Sequence, residues 1–269
     1  MYLNNFLWED ISKLSGLIDE IQGVSTDDRA ISESALIRRL NQPGCKPLED
    51  IFLAWIGDSL AGYAEVHREV EISRAVVTGG VLQKFRLQGI GTALINQIQF
   101  HTENLKLRTL HVDVPEGDQS THRLLTKLGF YHVRTHLHLQ RMSTPLNNSN
   151  PLFPKNLEIR LIKDNEFYGL TRLQNEVFEG TWGFCPNSPD QIRYRILDLH
   201  KDPDPVMILL IENTMVGYCW SHTEGPGKPA QLGMLGISIG YRGRGLGKLV
   251  TNAAIGHLLE LKPSHINIT

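Results

Sequence analysis

Apolar and polar positions follow the same order twice along this chain. An unbroken apolar run, Ile51 to Ile56, meets a Gly57-Asp58 turn and continues into Gly62-Tyr63-Ala64-Glu65-Val66-His67. Beginning 155 residues later, Val206 to Ile211 meets Glu212-Asn213 and continues into Gly217-Tyr218-Cys219-Trp220-Ser221-His222. Each set reads as a hairpin of an apolar strand, a turn and a second strand. A further strand-like run follows in each half, Arg74 to Leu82 and Gln231 to Ile239. After it the period changes from 2 to 3.6. In the second copy Leu246, Leu249, Val250, Ala253, Ala254, Leu258 and Leu261 share one helical face, as expected of a helix packed on a sheet.

The rest of the first half also reads in order. A short opening strand precedes a helix from about Trp8, with Glu9 and Asp10 in its first turn. A second helix spans about Ser32 to Leu40 and ends at Asn41-Gln42-Pro43-Gly44. A strand from Thr109 to Val114 leads to a helix near Gln119 to Leu128. Gly129 stops that helix, and a last hairpin is expected to close the domain by Arg141. Met142 to Lys155, with three prolines and an Asn-Asn-Ser-Asn tract, has the composition of a linker. The expected division is therefore 1–142, a linker at 143–155, and 156–269, each domain an α/β fold with a mixed sheet and helices on its faces.

Between strand and helix each half carries the phrase R-x-x-G-x-G: Arg86-Leu87-Gln88-Gly89-Ile90-Gly91 and Arg242-Gly243-Arg244-Gly245-Leu246-Gly247. A strand, a glycine turn and a helix start make an anion site. The first-turn N–H groups have no helical partner, and the helix dipole adds partial positive charge. The dinucleotide fingerprint G-x-G-x-x-G fails, because Leu94 and Val250 stand at its third glycine. The P-loop fails too, since Gly247-Lys248 is followed by Leu249.

Composition narrows the ligand. A net charge of −2 gives no bulk attraction to nucleic acid or to an anionic membrane, so anion binding must be local. Three cysteines, Cys45, Cys185 and Cys219, are too few and too scattered for a disulfide framework or a zinc site, which fits a reducing cytoplasm. No apolar run approaches the length that crosses a bilayer. Neither a nucleic-acid nor a membrane partner is expected.

The two phrases resemble the pyrophosphate loop of the GNAT superfamily of acyl-CoA-dependent N-acetyltransferases. Two copies in one chain resemble its tandem enzymes, the mycothiol synthases among them. The resemblance implies two GNAT-like domains, acetyl-CoA as co-substrate, no metal, and an amine acceptor on a small molecule or peptide. It implies that the pyrophosphate lies over Arg86, Leu87, Gln88, Gly89, Ile90, Gly91 and Thr92 in one half. In the other it lies over Arg242, Gly243, Arg244, Gly245, Leu246, Gly247 and Lys248. Pantetheine would run along Val81, Leu82 and Gln83, or along Ile237, Ser238 and Ile239.

Catalytic groups are harder to place. Many relatives carry a glutamate base where this chain has Val77 and Gly233, and a tyrosine acid where the first half has Leu125. The first half therefore resembles a coenzyme-binding, catalytically degenerate domain, and transfer is expected in the second. The phrase Gly217 to His222 resembles a strand of the mycothiol synthases in which a basic residue at the position of His222 contacts the acceptor. That implies His222 as the candidate to bind the acceptor or, as an imidazole, to take its proton. Trp182 and Phe184 lie where a loop would line the acceptor. His132, His136 and His138 read as the polar face of a strand opposite Val133, Leu137 and Leu139, and Cys219 as a small core residue. A non-catalytic acyl-CoA-binding or regulatory module is the alternative function. Thr269 aligns with Asp113, so the second domain is expected to be incomplete, with an uncovered sheet edge. Monomer and homodimer both stay open.

Overall fold

The computed structural model describes residues 1–23, 32–144 and 156–268. The linker expected at 143–155 falls, from residue 145 onward, outside the described residues. Two compact units make up the chain, Met1–Val133 and Arg134–Thr269.

In the first unit the elements run β1 (Tyr2–Asn5), α1 (Ile11–Gln22), α2 (Glu33–Leu40), α3 (Pro47–Asp50), β2 (Ile51–Ile56), β3 (Ser59–Glu69), β4 (Arg74–Val81), α4 (Ile90–Asn104), β5 (Thr109–Val112) and α5 (Gln119–Lys127). The sheet order is β1-β2-β3-β4-β5. All pairs are antiparallel except β4 with β5. The unbroken apolar run of β2 follows from its central place. Ile51, Leu53 and Trp55 join the core under α1 and α2, while Phe52 and Ala54 join the core under α4. Local signals set the helix starts: Ser32 Oγ accepts from Ala35 N at 3.2 Å, and Asp118 Oδ1 accepts from Thr121 N at 3.1 Å.

The second unit repeats the plan. Its elements are β6 (Leu139–Met142), β7 (Leu157–Leu161), α6 (Phe167–Phe178), α7 (Pro189–Leu197), β8 (Val206–Ile211), β9 (Thr214–Thr223), β10 (Ala230–Ile237), α8 (Leu246–Glu260) and β11 (His265–Ile268). The sheet order is β6-β11-β10-β9-β8-β7, with β10 and β11 parallel. Glu212 and Asn213 both take positive φ, 50° and 62°, as a type I′ hairpin turn requires. The α8 stripe packs on the sheet: Leu246, Val250, Ala254 and Leu258 are buried with Leu209, Val216, Cys219 and Leu232. On the other face α6 and α7 cover Val206, Ile208, Leu210 and Tyr218.

Two expectations are corrected here. No hairpin closes the first unit, because Phe130 to His138 forms no strand, and His132, His136 and His138 therefore share no strand face. The segment that does form a strand, β6, pairs with β11 of the second sheet, Leu139 opposite Ile268 and Met142 opposite His265. The β11 edge expected to lie uncovered is occupied by β6. A strand edge carries a row of N–H and C=O groups that any short extended segment can satisfy, so the partner of β6 is not written in its own four residues. The boundary expected after residue 142 lies beyond β6, while the compact units divide at Val133.

Candidate functional site

Both glycine loops have the same internal construction. A single turn of 3-10 helix leaves the strand, Gln83–Phe85 in one copy and Ile239–Tyr241 in the other. The loop arginine then folds back. Arg86 Nε donates to Val81 O at 3.1 Å, and Arg242 Nε donates to Ile237 O at 2.9 Å. Arg242 also donates to Val177 O on α6 at 3.1 Å. These guanidinium groups hold the loop to the strand end. Arg244 lies over the Tyr241 ring, 5.4 Å from its centroid, and donates to Gly240 O.

The helix starts themselves are bare. Gly89 and Gly245 are the N-cap residues, at φ 83° and 77°, and no side chain caps either helix. The first-turn N–H groups are left to a ligand or to water. A Cβ at Gly89, Gly243 or Gly245 would meet nothing within 4 Å, so each glycine serves conformation and an open face rather than internal packing. The copies differ at the second position. Gly243 takes φ 75° freely, whereas Leu87 is forced to φ 61° with its side chain fully exposed. A left-handed non-glycine residue costs about 1–2 kcal/mol. Asp118, at the start of α5, adds negative charge near Arg86, and its carboxyl is held down to about 2. Burial opposes that shift, but hydrogen bonds from Thr121 and Ser120 outweigh it.

The strands leading to the loops differ more. Among the described residues, which end at Ile268, β11 pairs with β10 at Ala230–Leu232. Register with β9 slips just after Leu232: Leu232 faces Ser221 but Leu235 faces Cys219, leaving Gly233 and Met234 opposite Trp220. This bulge bends the strand and re-aims its backbone. In the first unit β5 pairs with β4 as far as Val77, and β3 and β4 stay in unbroken register from Gly62–Val81 to Glu69–Arg74. Among the described residues, only the second unit joins a loop with glycine at its second position to a bulged strand. Gly233 inside the strand run is a sequence signal compatible with the bulge, although Gly79 and Gly80 stand inside β4 without one.

On β9, Tyr218, Trp220 and His222 alternate on the face covered by α6 and α7, and His222 stands opposite Gln231 of β10. His222 Nδ1 lies 2.7 Å from Asp204 Oδ1, and His200 Nδ1 lies 3.0 Å from the same oxygen. The two imidazoles stack with centroids 3.7 Å apart at 28°. Trp220 Nε1 donates to Asp204 Oδ2 at 2.8 Å. Burial would raise the Asp204 carboxyl, but the donors from His200, His222 and Trp220 hold it below its ordinary value. Asp204 and His200 were not legible as site residues, because the turn after α7 that carries them has no periodicity.

Other expected residues separate from this cluster. Trp182 and Phe184 lie in the loop between α6 and α7. Phe184 stacks on Phe178 at 5.6 Å, while Trp182, half exposed, lies under the Arg134 guanidinium at 5.2 Å. Cys219 faces the α8 core, and burial pushes its thiol up to about 11, which removes it as a nucleophile at neutral pH. Val77 is buried core and Leu125 is buried on α5, so neither offers proton chemistry in the first unit. No helix among the described residues is long and apolar enough to cross a membrane.

Comparison with known proteins gives three findings. The model of the Acetyltransferase (GNAT) family matches residues 19–130 and 167–266. A mycothiol acetyltransferase of Propionibacterium freudenreichii subsp. shermanii is 24% identical over 253 residues, covering 89% of this chain and 77% of its own. One of Geodermatophilus obscurus is 23% identical over 246 residues, covering 87% and 77%. Among solved structures, a tandem GNAT protein from the clavulanic acid biosynthesis pathway superposes with a TM-score of 0.76 at 16% identity, over 99% of this chain and 89% of that one. A GCN5-related N-acetyltransferase from Sphaerobacter thermophilus gives 0.70 at 18% identity, over 99% and 85%. These two show the shared tandem fold.

Proposed function

The chain belongs to the Acetyltransferase (GNAT) family, a family of acetyl-CoA-dependent N-acetyltransferases, and from that premise we propose that its second unit transfers acetyl from acetyl-CoA to a primary amine of a small molecule or peptide. The observation that carries this reading is the pairing of the Arg242–Gly247 loop with the bulged β10. The loop offers first-turn amides and Arg244 to the pyrophosphate. The end of β10 and the turn that follows it would offer backbone groups to pantetheine along Ile237, Ser238 and Ile239.

The chemistry follows from that placement. The neutral amine attacks the thioester carbonyl carbon, the C–S bond breaks, and the thiolate departs with the electron pair. The attacking nitrogen must lose a proton. His222 Nε2 takes it, directly or through water, on the face shared with Trp220 and Tyr218. Trp182 and Phe184 would border the acceptor.

The first unit keeps the loop without the bulge, with Leu87 strained, and with no proton-transfer group at Val77 or Leu125. It is read as a non-catalytic copy. Release of free thiol from acetyl-CoA across a panel of primary amines tests the activity, with Gly89→Val and Gly245→Val compared in the full chain. Turnover should survive the first substitution and be lost in the second. The reverse pattern would move the site to the first unit.

A further inference from the structure

Asp204 is a buried carboxylate of the second unit with several partners. Its carboxylate is 5% exposed, yet it accepts three side-chain hydrogen bonds: from His200, from His222 and from Trp220. Its backbone is fixed as well, with Asp204 N donating to Ile196 O at 2.8 Å. The imidazoles are more open, 24% exposed for His222 and 34% for His200.

Hydrogen-bond logic settles the tautomers. An ionised carboxylate only accepts, so an Nδ1 at 2.7 Å from it must carry the hydrogen. A neutral imidazole with hydrogen on Nδ1 has a lone pair on Nε2. The Asp204 contact thus turns the basic nitrogen of His222 away from the carboxylate. When Nε2 gains a proton, the buried negative charge stabilises the resulting imidazolium. His200 donates to the same oxygen and lies flat against His222. The two rings stack with centroids 3.7 Å apart, so a positive charge on one would be disfavoured by a positive charge on the other. Of the residues described beside the cluster, Trp220 is a neutral donor and Gln231, across the strand pair, does not titrate.

Resting on the reading that His222 receives the amine proton, we propose that Asp204 is the positioning residue of the transfer. It sets the His222 tautomer and stabilises the imidazolium that proton uptake would form, and His200 holds the same carboxylate oxygen from its other side. A purely structural Asp204 would change stability but not the ionisation of His222. Coordination of a divalent cation by the same three side chains is a different proposal, which the test also separates.

The test is the pH profile of kcat/KM for amine acetylation by the full chain, in wild type, Asp204→Asn, His222→Ala and the double variant. Asp204→Asn keeps shape and removes charge. It should lower kcat by about tenfold or more and shift the acid limb about one unit toward lower pH, because imidazolium loses its counter-charge. In the His222→Ala background the same substitution should cause no further loss, since Asp204 acts through His222.

Trp220→Phe is the second variant, for use if Asp204→Asn does not fold. It frees Oδ2 and should move the acid limb upward. Full activity in His222→Ala would remove the reading on which the proposal rests. A loss in His222→Ala with an unshifted limb in both other variants would overturn the proposal alone. Stoichiometric Zn²⁺ uptake by the wild type, lost in His200→Ala and in His222→Ala, would make the cluster a metal site and overturn it as well.

Discussion

Alanine at Gly245 and alanine at Gly247 should have opposite effects, although the two positions are two residues apart. Gly245 sits at φ 77° with nothing within 4 Å of where a Cβ would stand, so Gly245→Ala meets no clash and costs only the left-handed backbone, about 1–2 kcal/mol. At about 3–5 °C per kcal/mol for a unit of this size, the melting temperature falls by several degrees. Gly247 is inside α8, and its added methyl would stand 3.8 Å from Ile237 Cγ1, an ordinary contact. Gly247→Ala should therefore stabilise by about 0.5–1 kcal/mol, the helix preference for alanine. Coenzyme binding adds a second axis. If the pyrophosphate lies on the amides at the start of α8, the methyl at 245 faces it. Loss of one charge-assisted hydrogen bond, about 1.5–3 kcal/mol, weakens acetyl-CoA by roughly 10- to 100-fold. Thermal denaturation measures the first effect and isothermal calorimetry with acetyl-CoA the second. Gly245→Ala protein binding acetyl-CoA within about twofold of wild type would refute the placement, whatever its melting temperature.

Cysteine reactivity gives a second check. With its thiol buried and pushed up to about 11, Cys219 should resist a maleimide or iodoacetamide at pH 8 until the protein is unfolded, while the partly exposed Cys45 and Cys185 are modified in the native state. Rapid labelling of all three would contradict the packing of β9 against α8. Acid stability gives a third, through Asp118. Its folded value near 2 lies below the ordinary carboxylate value, so its charge stabilises above about pH 4 and that contribution is lost as pH falls toward 2. Asp118→Asn keeps a capping oxygen, so wild type should be the more stable near neutrality and the difference should vanish by about pH 2 in urea titrations. A constant difference at every pH would mean that charge has no part in it. Leu87→Gly, the fourth, trades left-handed strain of about 1–2 kcal/mol against about 0.5–1 kcal/mol of glycine entropy, so the net change is neutral to slightly stabilising. A clear loss of melting temperature would show that the Leu87 side chain does more than fill the loop.

The sequence by itself determined the repeated plan, because that plan is built from local, periodic signals. Apolar runs marked β2 and β8, the turn residues at 57–58 and 212–213 marked the hairpins, and the apolar periodicity that begins after Gly89 and Gly245 marked strand, loop and helix. Even the packed face of α8 was legible, since helical spacing places it without knowledge of the partner. What only the tertiary structure decided is pairing and register. The β10 bulge comes from two residues opposing one across a strand pair, which Gly233 permits but does not dictate. The choice of β11 as the partner of β6 depends on an open edge more than a hundred residues away. The Asp204 cluster joins a turn after α7 to the far end of β9, and no spacing in the chain connects Asp204 to His222. Periodicity is a property of one segment, while a sheet register or a shared carboxylate oxygen is a property of two, and their meeting is fixed by the burial of the cores between them.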